Sequence, residues 1–277
     1  MNITVFQALK EGERLLLCHH VPDARLDAEY LLAGVLNMPR LPLLLEKQKT
    51  LAEEEYTAYR AFLERRAGRE PLQYILQEQS FMGFSFRTDK RALIPRNDTE
   101  AVCEAALSHA RPGMQVLDLC TGTGALGIAL KKLRPGIAVT LTDLSPAALS
   151  LARENAQRLS ADVRILQGDL FAPVQGEKFH LIVSNPPYIP DGLRGSLQAE
   201  VEKEPVMALF AGVDGLDFYR RIAVEAPLHL HEKGILVLEC GDDQAQAVAR
   251  LIEGAFEDLA VIHDMDGHER GICARLK

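Results

Sequence analysis

The stretch QVLDLCTGTGALGIAL, from Gln115 to Leu130, decides the fold class of this chain. Gln115 to Leu119 is an apolar run of strand length, Gly122 and Gly124 mark a turn, and Ala125 to Leu133 continues with helical spacing. Strand, glycine turn and helix in that order open a βαβ unit. The alternation continues with a strand at Ala138 to Thr142, a helix at Pro146 to Leu159 and a strand at Val163 to Leu166. A strand from Phe179 follows, then a helix from Phe218 to about His231, a strand at Gly234 to Cys240, a helix at Asp243 to Gly254, and last strands near Val261 and Ile272. The expected class is α/β, with a doubly wound, mostly parallel seven-stranded sheet and right-handed crossovers.

Upstream of this domain the periods differ. Residues 1–80 read as a helical bundle, with Phe6, Leu9, Leu15, Leu16 and then Leu26, Tyr30, Leu31 at spacings of three and four, and an amphipathic helix from Leu51 to Gly68. Residues 81–98 change to a period of two, with Phe84, Phe86, Ala92 and Ile94 suggesting a β-hairpin connector around Asp89 and Lys90. The remainder, 99–277, is the α/β domain. Its segment from Asp191 to Gly215 lacks periodicity and is a candidate mobile loop over a site.

A chain of 277 residues that is 47% hydrophobic can bury a large core. The net charge of −8 disfavours binding of nucleic acid through phosphate contacts. Five cysteines without CxxC spacing indicate neither a disulfide framework nor a zinc site, and reduced cytoplasm is the expected compartment. No apolar run approaches the ~20 residues needed to span a bilayer, and no secretory leader is read at the N-terminus.

Two stretches carry chemistry. Gly122, Gly124 and Gly127 satisfy GxGxxG, and the acid Asp143 lies about twenty residues further on, so a dinucleotide site is a first reading. Asp118, inside the first strand, tilts the reading from a nicotinamide cofactor to S-adenosylmethionine, because a carboxylate can receive an ammonium and offers a pyrophosphate nothing. Asp143 is then placed for ribose hydroxyls, and Asp169 with Leu170 for the adenine, although Asp169 beside Gly168 reads equally well as a turn residue. The second stretch is FHLIVSNPPYIP, Phe179 to Pro190. A buried strand ends in Asn185, Pro186, Pro187 and Tyr188, a rigid turn poor in N–H groups that offers carbonyl oxygens and a flat ring to a planar NH2 group. Arg96 to Glu100, within IPRNDTE, reads by itself as a helix cap.

Together with EPLQYIL from Glu70, EPVMALFAGVDGLDFYRRI from Glu204 and the closing DMDGHERGICARL, these motifs resemble the HemK (PrmC) type release-factor glutamine methyltransferases. The likeness spans the chain, with Asn97 where the family often has proline and Cys120 where many members have glycine. It implies a Rossmann-like class I S-adenosylmethionine-dependent methyltransferase domain behind a release-factor-recognising helical domain. The cofactor would be held by Asp118, Cys120, Thr121, Gly122, Thr123, Gly124, Asp143, Asp169, Leu170 and Asn185. Asn185, Pro186, Pro187 and Tyr188 would take the substrate, with Asn185, Pro186 and Tyr188 in the catalytic role. The implied reaction methylates the glutamine amide of the Gly-Gly-Gln loop of peptide chain release factors. No metal, membrane or direct nucleic acid is expected, and a monomer is preferred. NPPY is shared with enzymes that methylate exocyclic amines of DNA or RNA bases, which is the alternative substrate class. An oxidoreductase has only GxGxxG in its favour, and an inactive methyltransferase fold acting as a binding module has intact Asp118, Asp143 and NPPY against it.

Overall fold

The computed structural model describes residues 3–277; Met1 and Asn2 lie outside the described residues. The chain forms two compact units, one of residues up to Glu78 with Gln198–Lys203, the other of Gln79–Leu197 with Glu204–Lys277.

The first unit is helical: α1 (Val5–Cys18), α2 (Ala24–Val35), α3 (Arg40–Leu45), α4 (Glu53–Ala67) and α5 (Leu72–Leu76). Thr4 and Gln7 form a reciprocal capping box that starts α1. Leu16, Leu31, Leu32, Tyr59 and Leu63 are fully buried in its core. Arg66 on α4, itself buried, donates to Asp27 of α2 at 2.7 Å and to Glu200 at 2.7 Å, while Arg69 grips both Glu200 oxygens at 2.7 and 2.6 Å. Charge-assisted, forked bonds of this kind are strong for their size. They fasten Gln198–Lys203 to the helices although these residues are distant from them in sequence.

The second unit opens with a hairpin, β1 (Glu78–Phe81) and β2 (Phe84–Arg87), turning at Met82 and Gly83 with φ of 50° and 78°. Two successive positive φ values match the twist of the flanking strands. The pairing anticipated between Phe84–Phe86 and Ala92–Ile94 does not form. Asp89 instead accepts from the backbone and side chain of Arg91, and Ala92 N–H returns to the Asp89 carbonyl, so the chain turns there without a strand.

After α6 (Asp98–His109) come β3 (Gln115–Leu119), α7 (Ala125–Leu133), β4 (Ala138–Asp143), α8 (Pro146–Arg158), β5 (Arg164–Gln167) and β6 (Phe179–Ser184). The unit closes with α9 (Asp217–His229), β7 (Leu230–Glu239), α10 (Ala245–Ile252), β8 (Phe256–His263) and β9 (Glu269–Leu276). The seven strands lie in the order β5-β4-β3-β6-β7-β9-β8, with β9 antiparallel to both neighbours. Strand β7 begins at Leu230 rather than Gly234, because a register shift opposite Phe179 and Leu181, with Lys233 at φ 60°, lets pairing continue through a bulge. Successive residues of β3 serve opposite faces: Val116 joins one apolar cluster, Leu117 and Leu119 the other.

Position follows from this topology. The chain leaves β3 towards β4 and β5, then returns to place β6 on the other flank of β3, with Leu119 opposite both Thr142 and Ser184. The carboxyl ends of β3, β4 and β6 therefore meet at the switch point, where open α/β sheets bind ligands. Gly127 is a tight joint of the switch point, since a Cβ there would lie 2.2 Å from Leu141 Cδ2 and 2.8 Å from Asp118 Oδ2. Gly127→Ala is expected to destabilise the protein by about 1–3 kcal/mol, read as a lower urea midpoint at unchanged slope; an unchanged midpoint would show that α7 can shift off the sheet freely.

Candidate functional site

The carboxyl ends of β3, β4, β5 and β6 surround a cleft of about 1040 Å³, counting the open space at its mouth. Asp118, Cys120, Thr121, Gly122, Thr123, Asp143, Asp169, Leu170, Asn185 and Pro187 line it. Gly124, Pro186 and Tyr188 adjoin these residues in the chain without being part of the lining. Gly124, at φ 83°, is the N-cap of α7, and a Cβ on it would meet Ile128 at 2.7 Å. Pro186 is buried, and Tyr188 packs on the core cluster containing Leu119, Tyr219 and Cys240. The Tyr188 carbonyl accepts from Gln244 Nε2 at 3.0 Å, which braces the turn from α10's side.

Asp118 is 1% exposed, and its Oδ2 accepts from Thr121 Oγ1 at 2.5 Å and from Gly127 N–H at 2.9 Å. Oδ1 takes no part in these bonds. Burial pushes the carboxyl up to about 7 against those two donors, and the neighbouring Asp143 charge adds to the rise. Asp143 ends β4; its Oδ2 accepts from Gly122 N–H and its Oδ1 from Ser145 N–H, both at 2.9 Å. Burial raises this carboxyl as well, opposed by the same backbone donors. Asp169 is half-exposed and bonded to Arg221 at 2.7 Å, while Leu170 is buried with φ of 47°. Cys120 has φ of 56°, a left-handed conformation that glycine adopts without strain.

The segment read as a helix cap has another use. Asn97 stands at the N-cap of α6 without a side-chain cap bond. Glu100 accepts from Met82 N–H at 2.6 Å, Arg96 pairs with Glu204, and Glu204 also accepts from Ile94 N–H at 2.9 Å. Glu204 is 4% exposed, so these bonds tie the wall at Ile94–Pro95 to the wall at Pro205–Ala208. Asn185 Nδ2 donates to Thr99 Oγ1 at 3.4 Å, long for such a bond, which directs the amide so that Oδ1 is the free acceptor.

Sequence reasoning missed Thr99 and Asn155. The buried Asn155 side chain of α8 donates to the carbonyls of Arg87 and Thr123 and accepts from Arg87 N–H at 2.7 Å, joining the hairpin to the glycine turn. A single asparagine inside an amphipathic helix carries no periodic signal. The Asp264, Asp266 and His268 group, the one cluster of possible metal ligands among the described residues, lies in the β8–β9 turn and outside the cleft lining.

Residues 7–76 match the model of the PrmC N-terminal domain, and residues 101–201 match the methyltransferase small domain. A release factor glutamine methyltransferase of Geobacter sulfurreducens is 43% identical over 258 residues, covering 92% of this chain and 91% of the relative. That of Moorella thermoacetica is 41% identical over 278 residues, covering 98% of each. The chain belongs to the release factor glutamine methyltransferase family. Among solved structures, a methyltransferase from Pyrococcus furiosus aligns with a TM-score of 0.54 at 19% identity, over 72% of this chain and 91% of that one. A Thermus thermophilus 16S rRNA methyltransferase, solved with AdoMet and guanosine, aligns at 0.51 and 18% identity, over 72% of this chain and 50% of its own. These two share the fold of the family's catalytic domain.

S-adenosylmethionine is the cofactor of this methyltransferase family. The cleft fits it: the buried Asp118 and the half-buried Asp143 stand at the floor, backbone N–H groups shape the turn between them, and Leu126, Leu144 and Leu170 supply apolar wall. An ammonium favours the ionised form of Asp118. With that carboxyl raised to about 7, cofactor affinity is expected to climb by up to tenfold per pH unit as pH rises towards about 7 and to level off above it. Isothermal titration across this range checks the trend, and Asp118→Asn should bind weakly without the slope.

Proposed function

We propose that this chain methylates the side-chain amide nitrogen of the glutamine in the Gly-Gly-Gln loop of peptide chain release factors, with S-adenosylmethionine as donor. The observation that carries the reading is the adjacency of two motifs across one strand pair: Asp118 opposite Val183, Leu119 opposite Ser184, with Asp118 and Asn185 lining the same cleft.

An amide nitrogen is a poor nucleophile because its lone pair is shared with the carbonyl. The task of the site is therefore to orient it. Asn185 Oδ1 and the Pro186 carbonyl would accept the two amide hydrogens, which restrains the group and favours a pyramidal nitrogen with its lone pair directed into the cleft. S-adenosylmethionine, when bound, supplies an electrophilic methyl carbon on a positively charged sulfur. Asp118 would receive its ammonium, and Asp143 its ribose hydroxyls through lone pairs not used by Gly122 and Ser145. Nitrogen becomes acidic once alkylated, so no general base is assigned. Holding the reacting atoms ~3 to 3.5 Å apart can account for several kcal/mol of the barrier.

The helical unit would recognise the release factor, and the enzyme would work as a cytoplasmic monomer without binding nucleic acid directly. No helix among the described residues is long and apolar enough to cross a membrane, and the net charge of −8 suits a protein substrate better than a polyanion.

Incubation with purified release factor and labelled cofactor, followed by peptide mass spectrometry, should place one added methyl on that glutamine. Label on RNA or DNA instead would establish the base-amine reading. Asn185→Ala should lower kcat by about a hundredfold or more with cofactor Kd little changed; equal turnover would remove Asn185 from the chemistry.

A further inference from the structure

Beside Asn185 lies a buried acid with no assigned part in the reaction. Leu238 is paired with Ser184, so Glu239, the last residue of β7, stands level with Asn185 at the sheet's carboxyl edge. Glu239 is 2% exposed, and its Oε2 is buried without a hydrogen-bond partner. Its carboxyl neighbours the side chain of Thr99, the same residue that accepts from Asn185 Nδ2. Thr99 is itself 5% exposed.

The nearby cations are committed elsewhere. Arg96 pairs with Glu204, and Arg270 with Asp98, Asp242 and Asp264. Tyr219 donates its hydroxyl to the backbone carbonyl of Glu239 at 2.8 Å and leaves the carboxylate alone. A carboxylate in so dry a place is costly unless it is paired or hydrogen-bonded.

The geometry points to Glu239 as a positioning residue that, through Thr99, sets which end of the Asn185 amide faces the cleft. This rests on the reading of Asn185 as acceptor of the substrate amide. A hydroxyl has one proton, and a carboxylate can only accept. When Glu239 takes the Thr99 proton, Thr99 turns a lone pair to Asn185, so only the NH2 end of Asn185 fits there and Oδ1 faces the cleft. Without that acceptor Thr99 can donate to Oδ1, the amide can reverse, and the NH2 end of Asn185 confronts the NH2 of the substrate. Two donors then repel where an acceptor is needed. Burial raises the Glu239 carboxyl to about 7 against the opposing effect of Thr99, with Asp98 adding to the rise and Arg270 and Arg96 opposing it; Tyr188, Tyr219 and Cys240 are the other titratable neighbours. The ionised form that the device needs is therefore dominant at pH 8.

The test is a double-mutant cycle at pH 8 on the full chain, with release factor as substrate. Glu239→Met and Thr99→Val should each lower kcat by about tenfold or more while leaving cofactor Kd nearly unchanged, and the double variant should lose no more than either single one. A loss at Glu239 that persists undiminished on the Thr99→Val background overturns the inference, as does a folded Glu239→Met enzyme with wild-type kcat. Should Glu239→Met fail to fold, Thr99→Val decides together with hydrogen exchange of the Asn185 side-chain amide in substrate-free protein. That exchange should be slow in the wild type and about tenfold faster without the Thr99 hydroxyl; equal rates overturn the inference. Wild-type protein that shows the exchange contrast but no turnover would sink the functional reading and leave the positioning role standing.

Discussion

A carboxylate held in the dry interior by the turn that follows it is the constraint on which this site depends. Asp118 binds Thr121 and the backbone of Gly127 through one oxygen, so the strand, the glycine turn and the first turn of α7 are locked together by a single side chain. Gly127 must be glycine because that carboxylate and Leu141 occupy the space where a Cβ would be. Asp143 repeats the arrangement one strand away, gripping Gly122 from the end of β4. The turn's shape is thus enforced from both sides before any ligand arrives, and preorganisation of this sort avoids an ordering cost on binding.

The walls of the cleft are coupled by charge. Glu204, Arg96 and the Ile94 amide bring together two segments more than a hundred positions apart, and neither has regular structure to hold it in place. Further back, Glu200 is drawn into the helical unit by Arg66 and Arg69, so that within a few residues the chain is pinned in each unit in turn. An aperiodic segment is given definite paths in this way. Its short turns, together with the bridge from Ile189 to Phe210, are all that replaces a helix or strand.

Stability has been conceded for this arrangement. Asp118 and Glu239 are both acids whose burial raises them to about 7, so between the ordinary carboxylate range and neutrality the folded state holds protons that the unfolded chain releases, and its stability falls as pH rises. Apolar residues of like volume would remove that penalty and the chemistry with it.

Much of this was legible without coordinates, because it is local. The strand Gln115–Leu119, the helix Ala125–Leu133 and the apolar run into NPPY depend on period, turn residues and proline geometry over a few positions, and the structure places them where those patterns put them. The connector after Phe86 was misread because alternating Ala92 and Ile94 imitate a strand, while the Asp89 turn that overrides the pattern is a side-chain contact. The roles of Thr99, Asn155, Glu204 and Glu239 were invisible for a related reason: each is a polar residue whose partner lies on another element, and periodicity carries no record of that pairing. The sequence by itself determined the class of fold and the chemical types of group available at the strand ends. Only the tertiary structure decided which of them share one cleft, packed Tyr188 against the core and oriented Asn185, because side-chain direction is set by packing and hydrogen bonds between elements that meet only when the sheet is formed.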